Sequence, residues 1–134
     1  MMKNNIRIQF VDTDMSGRIH YSAIFKYFEM MDHDFFRSIG YSYNEILKLG
    51  FDIPRVHVEC SYIGEIVYDD ELEAQVAVEK VGNSSYTLAF SFYKEEQCVA
   101  KGRLTNVFID RSTGKSAAIP MFIKTELEKH LLRK

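Results

Sequence analysis

Between Ile24 and Ile39 the apolar residues fall on a helical period. Ile24, Phe28, Met31 and Phe35 are spaced by four, three and four, and Phe25, Phe36 and Ile39 widen the stripe. Lys26, Glu29, His33 and Arg37 fall toward the other side. The pattern predicts a helix of about four to five turns from Tyr21 onward, stopped by Gly40. A stripe that broad must be covered by another layer of structure. On either side of it the period is two. Asn5 to Val11 (NIRIQFV) alternates Ile6, Ile8 and Phe10 with polar residues, which predicts a strand with one buried face.

After Pro54 the chain reads as successive strands. Arg55 to Tyr62 (RVHVECSY) alternates, and Leu72, Ala74, Val76 and Val78 alternate in the next run. Tyr86, Leu88, Phe90 and Phe92 then share a face, and a last strand runs from Cys98 to Ile109. Asp69-Asp70, Gly82-Asn83-Ser84 and Glu95-Glu96-Gln97 supply the turns. Tyr43 to Leu49 forms a short helix before Gly50, and Pro120 opens a C-terminal one carrying Phe122, Ile123, Leu127 and Leu131. Hairpin-linked strands imply a largely antiparallel sheet. The expected fold class is α+β: one long helix wrapped by a curved, mainly antiparallel sheet of about five strands, as a single domain over residues 1–134. The edges of such a sheet favour pairing between subunits.

Composition narrows the partners. The net charge of -2 offers no basic field for nucleic acid. The N-terminal MMKNNIRIQF lacks the apolar core of a signal peptide, and no run approaches the roughly twenty apolar residues that span a bilayer. Cys60 and Cys98 sit in strand-like runs without CxxC spacing and are read as buried free thiols. The expected setting is cytoplasmic, with no membrane partner.

The stretch Asp12-Thr13-Asp14-Met15-Ser16-Gly17 joins the first strand to the long helix. It mimics the start of a calcium loop, but the twelfth position, where a bidentate Glu is required, holds Ala23. A strand pattern precedes it where a helix should. No metal is expected. Two readings remain. Aspartates before helices commonly make turn hydrogen bonds. Alternatively, the unpaired N–H groups of the first helical turn would stabilise an oxyanion, while a carboxylate held opposite them attacks a carbonyl or deprotonates water. Asp14 is nearer the helix than Asp12 and better placed for this. The layout suits ester or thioester hydrolysis without singling it out.

The Asp-Thr-Asp motif, Gly17, Ile19, the aromatic pair that follows and Phe28-Glu29 together resemble the N-terminal signature of hot-dog-fold acyl-CoA thioesterases, in particular the 4-hydroxybenzoyl-CoA thioesterase-like family. The similarity continues through Gly64 to Glu71 (GEIVYDDE), Val81 to Ser85 (VGNSS) and Val107 to Pro120 (VFIDRSTGKSAAIP). It implies a sheet wrapped around the helix, a homodimer or homotetramer with active sites between subunits, and no cofactor. It also implies that Asp14 is the catalytic carboxylate, as nucleophile or as general base, and that the backbone N–H of Tyr21 polarises the carbonyl. Gly17 would let the loop pass close to substrate, and Asp12 would shape the turn. Many relatives place an aromatic before a His and have Asn at the position of Ala23; here His20 precedes Tyr21. His20 therefore either takes over the role of that His or lines the pocket. Glu29 would orient groups from the helix.

Other candidates are weaker in their pattern. Asp32-His33-Asp34 reads as a solvated helical face, since no further metal ligands are spaced to join it. His57 faces outward from its strand. No phosphate loop or GxSxG elbow occurs. Lys101, Arg103, Arg111 and Lys115 are candidates, by charge and position, for the phosphates of coenzyme A. The predicted function is hydrolysis of an acyl-CoA to free acid and CoA. The alternatives are an acyl-carrier-protein thioesterase, a non-catalytic acyl-thioester binding module, and a dehydratase-like chemistry built on His20.

Overall fold

The computed structural model describes residues 2–132. Helix α1 spans Ile24–Ser38 and its stripe is buried, with Ile24, Met31, Phe35 and Phe36 at 0% exposure and Phe28 at 1%. It starts later than the apolar period suggests because Tyr21–Ala23 form turns. Its C-terminal stop is the expected glycine. Gly40 takes φ +101°, the Tyr41 N–H donates to Phe36 O at 2.9 Å, and the Gly40 N–H donates to Arg37 O at 3.1 Å. These paired bonds satisfy carbonyls that a helix end leaves open.

The sheet partner is antiparallel and five-stranded. Strand β1 is Met2–Arg7, β2 Phe51–Asp52, β3 Arg55–Tyr62, β4 Glu71–Val81, β5 Ser85–Lys94, β6 Gln97–Val107, β7 Ile109–Asp110 and β8 Lys115–Ser116. The main order is β1-β4-β5-β6-β3, with β3 at an edge. The small sheet β2-β7-β8 has strands too short for a period to reveal. Helix α2 is Tyr43–Lys48, and α3 is Met121–Lys129, capped by Pro120. The hot-dog arrangement expected from the resemblance is the one observed.

The helix and sheet are in direct contact at Phe28. The Phe28 ring stacks on Phe90 at 4.5 Å and 11°. A Cβ at Gly102 would lie 2.4 Å from that ring and 2.3 Å from Glu59 O, so a glycine is required for the sheet to close on the helix. Side chains on β6 alternate around it. Ala100 and Leu104 point at the core, whereas Lys101 and Arg103 are exposed on the opposite face.

Three local expectations differ. Strand β1 ends at Arg7 and Phe10–Asp12 form a 3-10 turn, so Phe10 is exposed although Ile6 and Ile8 are buried. The cysteines are free but only half-buried. Asp32 does not belong to the solvated face: it is 0% exposed. Its position explains this, because Phe28, Asp32 and Phe36 follow one another at intervals of four on the buried stripe.

Candidate active site

Asp14 sits on a narrow ribbon. Thr13 and Ile19 bridge antiparallel, the Asp14 N–H donates to Arg18 O at 2.8 Å, and the His20 N–H donates to Asp12 O at 2.8 Å. The turn closes through the Gly17 N–H to Asp14 O at 3.0 Å, with Gly17 at φ +81°. No protein atom lies near a Cβ there, so within the protomer the positive φ alone accounts for the glycine. A third arm clamps the ribbon: the Ile19 N–H donates to Ile66 O at 2.9 Å, the Tyr68 N–H to Gly17 O at 3.0 Å, and Arg18 pairs with Glu65 at 2.9 Å.

The Asp14 carboxylate is exposed but oriented. Its Oδ1 accepts the Ser16 hydroxyl at 2.5 Å and the Ser16 N–H at 2.8 Å. These two donors hold its pKa below the ordinary carboxylate value. At neutral pH it is an anion with one oxygen fixed and the other turned to no protein donor among the described residues. Asp12 is different. It is buried, and its Oδ2 accepts Lys26 Nζ and the Tyr27 hydroxyl, both at 2.6 Å. Burial pushes its pKa up, but the two donors outweigh burial and hold it below the ordinary value. Burial and Asp12 together push Tyr27 up to about 12. Asp12 therefore ties the ribbon to α1, which is the turn-shaping role expected of it.

The other arm leads into the helix start. The Ala23 N–H donates to His20 O at 2.9 Å, and the Tyr21 N–H meets no acceptor among the described residues. The Tyr21 carbonyl is fixed by the Tyr62 hydroxyl from β3. His20 Nδ1 accepts from the Ser22 hydroxyl at 2.8 Å and the Ser22 N–H at 3.3 Å, which assigns the ring proton to Nε2. The rings of His20 and Tyr21 stack at 4.5 Å. In the ribbon register Asp14 faces Arg18, and Tyr21 follows three residues later on the opposite arm, inside the turn that leads to α1.

Two hollows open nearby, one between the Arg18–Tyr21 arm and the Tyr62–Ile66 segment and the other between α1 and β3. One, of about 240 Å³, is lined by Arg18, Ile19, Tyr21, Tyr62, Gly64 and Ile66, among others. The other, of about 200 Å³, is lined by Phe25, Phe28, Glu29, Arg55, Val58 and Leu104. Tyr21 thus lines the first hollow and Glu29 the second, whereas Asp14, Gly17 and His20 line neither. Lys101 and Arg103 lie on the outer face of the sheet, and Arg103 pairs with Glu59 at 3.4 Å and Glu79 at 3.3 Å. Arg111 is also committed, to Asp52 and to the carbonyls of Leu47 and Phe51. Among the described residues no cluster of His, Cys, Asp and Glu is placed to hold a metal. Among the described residues no helix is long and apolar enough to cross a membrane.

A family model described as the thioesterase-like superfamily matches residues 8–127. The chain belongs to the thioesterase-like superfamily. Among its relatives in that superfamily, a protein of Aquifex aeolicus named as a candidate esterase is 31% identical over 85% of this chain and 88% of its own. A 1,4-dihydroxy-2-naphthoyl-CoA hydrolase of Prochlorococcus marinus is 23% identical over 84% of this chain and 77% of its own. A crystal structure from Aquifex aeolicus superposes with a TM-score of 0.89 at 28% identity, covering 95% of this chain and 99% of that one. The superfamily thus accounts for the wrapped helix and for nearly the whole chain.

Sequence reasoning missed Ser16, Tyr62, Lys26 and Tyr27 as partners of the site. The Asp-x-Ser spacing was a usable signal, since a serine two residues on can cap a carboxylate through its N–H and O–H. Tyr62 and Tyr27 reach the site only through tertiary packing.

Proposed function

We propose that this protein is an acyl-CoA thioesterase in which Asp14 initiates attack and the Tyr21 N–H polarises the carbonyl. What supports this reading is the ribbon itself, which carries an oriented, anionic Asp14 carboxylate and, further along its other arm, a Tyr21 N–H with no acceptor among the described residues. The relatives support the substrate: one of them is named for hydrolysis of a naphthoyl-CoA. As nucleophile, the free Asp14 oxygen adds to the thioester carbon and the C–S bond breaks. CoA thiolate leaves, and water then cleaves the mixed anhydride. As general base, Asp14 takes a proton from water, whose oxygen adds instead. In both routes negative charge grows on the carbonyl oxygen, where the N–H and the helix start stabilise it.

The working unit is a homo-oligomer. Edge strand β3 has an unpaired side, and Val56, Val58 and Tyr62 on it are exposed. Phe10, Val11, Met15, Tyr21 and Tyr68 are also exposed, close to Asp14 in the chain or the ribbon. A second copy on this side would bury them and wall in the two hollows. Sedimentation velocity tests this, and a monomer at micromolar concentration would refute it.

Thiol release from a panel of acyl-CoAs, with native protein and Asp14→Ala, tests the chemistry. Turnover of at least one ester that collapses in the variant is expected. Undiminished turnover by Asp14→Ala would remove the assignment. A single turnover in ¹⁸O-water tests the nucleophilic route, because an unlabelled aspartate oxygen reaches the first product only when Asp14 has formed the anhydride and water opens it at the aspartyl carbon.

A further inference from the structure

The smaller hollow has an unusual wall. Phe25, Phe28, Val58 and Leu104 are apolar, yet Arg55 stands among them. Its guanidinium is fixed from behind. Nη2 donates to Asp32 Oδ2 at 3.0 Å, Nη1 donates to Ile53 O at 3.3 Å, and the group lies over the Tyr43 ring at 5.3 Å. The same Asp32 oxygen also accepts from the Tyr43 hydroxyl and from Asn106 Nδ2 at 3.3 Å. A buried ion pair of this kind is seldom the most stabilising choice for a core, but it does fix geometry. Here it holds one cation at the edge of a cavity, with 29% of its side chain still exposed.

Donors and acceptors are unevenly matched across this cluster. At its buried end, Asp32 Oδ1 and Asn106 Oδ1 have no partner, so acceptors are in surplus there. At its open end, the guanidinium carries five N–H donors, more than its recorded partners use. A ligand in the hollow therefore meets spare donors. Charge sets the next limit. Asp32 already pairs with Arg55, and Glu29 adds a second carboxylate to the lining, so a further full negative charge is disfavoured. Volume sets the last. A cavity of about 150 Å³ accepts benzene, so the roughly 200 Å³ here takes one ring or a comparably short chain. Phe25 and Phe28 place the hollow just past the helix start.

We propose that Arg55, positioned by Asp32, determines acyl specificity by donating to a neutral oxygen at the far end of a one-ring or similarly short acyl group. This rests on the thioesterase reading above and goes on to name the substrate class of that site.

The test compares 4-methoxybenzoyl-CoA with 4-ethylbenzoyl-CoA, which exchange an ether oxygen for a methylene at nearly constant shape. The native protein is expected to favour the methoxy ester in kcat/KM by about tenfold or more, as for loss of a hydrogen bond to a charged group. 4-Carboxybenzoyl-CoA is expected to be slower than the methoxy ester. In the double variant Arg55→Met/Asp32→Asn, which leaves no unpaired buried charge, the methoxy-to-ethyl ratio should fall to near one, with folding checked by circular dichroism. Equal kcat/KM for the two esters in native protein would overturn this inference alone, and that measurement needs no variant. A preference that survives the double variant would also overturn it. Hydrolysis of no acyl-CoA at all would bring down the thioesterase reading, and this inference with it.

Discussion

The chain contains the same turn twice. At Asp14-Met15-Ser16 and again at Asp110-Arg111-Ser112, the aspartate Oδ1 accepts the serine N–H and the serine hydroxyl. Both turns end in a glycine at positive φ, Gly17 at +81° and Gly114 at +71°. Both carboxylates are held below the ordinary pKa by their serine. Yet the surroundings differ. The Asp14 ribbon feeds into the start of α1, beside exposed apolar side chains and two hollows. The Asp110 turn joins two-residue strands, and Arg111 next to it is locked to Asp52. Local geometry makes an oriented anion in both places, and the Asp110 turn even lines a hollow of about 600 Å³ with Leu49 and Phe51; what sets the Asp14 ribbon apart is its lead into α1, with a Tyr21 N–H that meets no acceptor among the described residues.

The sharpest way to break this comparison is to neutralise each carboxylate in turn. Asp14→Asn is expected to lower kcat by about 10²–10⁴-fold, and Asp110→Asn is expected to leave kcat where it is. Thiol-release kinetics on one acyl-CoA measures both. Equal losses would mean that the turns act through folding, and that proximity to the helix start has no chemical meaning.

A third aspartate sharpens the contrast from the buried side. Asp32 has no solvent to stabilise its charge and depends on Tyr43, Arg55 and Asn106. Asp32→Ala would leave the half-buried Arg55 and two further donors unmatched, and is expected to cost about 3 kcal/mol in denaturant unfolding. Asp14→Ala and Asp110→Ala should move the midpoint far less, because Asp14 is exposed and Asp110 only half-buried. A tolerant Asp32 site would show that the cluster is replaceable and that its retention serves the cavity.

The pH dependence should separate the same residues by sign. Burial pushes Asp32 up to about 6, against the lowering influence of its three donors. In the unfolded chain an aspartate releases its proton near pH 4, about 3.9. Between those values the folded protein holds a proton that the unfolded chain has lost, so this group's contribution is full below about 4 and is lost as pH rises through about 6. Asp14 and Asp110 run the other way. Their contributions are present above about 4 and are lost as pH falls. Measured against Asp32→Asn, the native protein should lose relative stability from pH 4 to 6 and then level off. A flat difference would mean that Asp32 ionises as an ordinary carboxylate.

How much of this was legible beforehand depended on the range of the interactions. The period of four, three and four fixed α1 and its stop, because one helix face must be apolar throughout. The period of two fixed β3 to β6 in the same way. The Asp-Thr-Asp motif pointed to the right turn because turn chemistry is local. Asp32 sits in an acidic run that reads as surface, but its spacing from Phe28 and Phe36 puts it on the buried stripe, and phase rather than composition decides its burial. Lys101 and Arg103 were assigned by charge alone, and charge does not reveal which face of a strand a side chain takes. Tyr62 and Arg55 reach the site across the fold, and nothing in their neighbours in the chain announces it.

The smallest effect returns to the paired turns. Ser16 supplies the two largest influences that lower the Asp14 pKa, its hydroxyl ahead of its N–H, and Arg18 adds to them. Ser16→Ala deletes the hydroxyl but keeps the N–H. The carboxylate must be ionised to work as nucleophile or base, so the rate falls on the acid side as it protonates. Removing the hydroxyl moves that limb to higher pH, with a few-fold loss of rate at neutral pH from a less fixed side chain. Ser112→Ala makes the same change at the sister turn and should leave the rate profile untouched. kcat/KM from pH 3.5 to 8 on both variants reads the effect. A limb that moved equally in both, or in neither, would show that Asp14 is not the group whose ionisation the reaction requires.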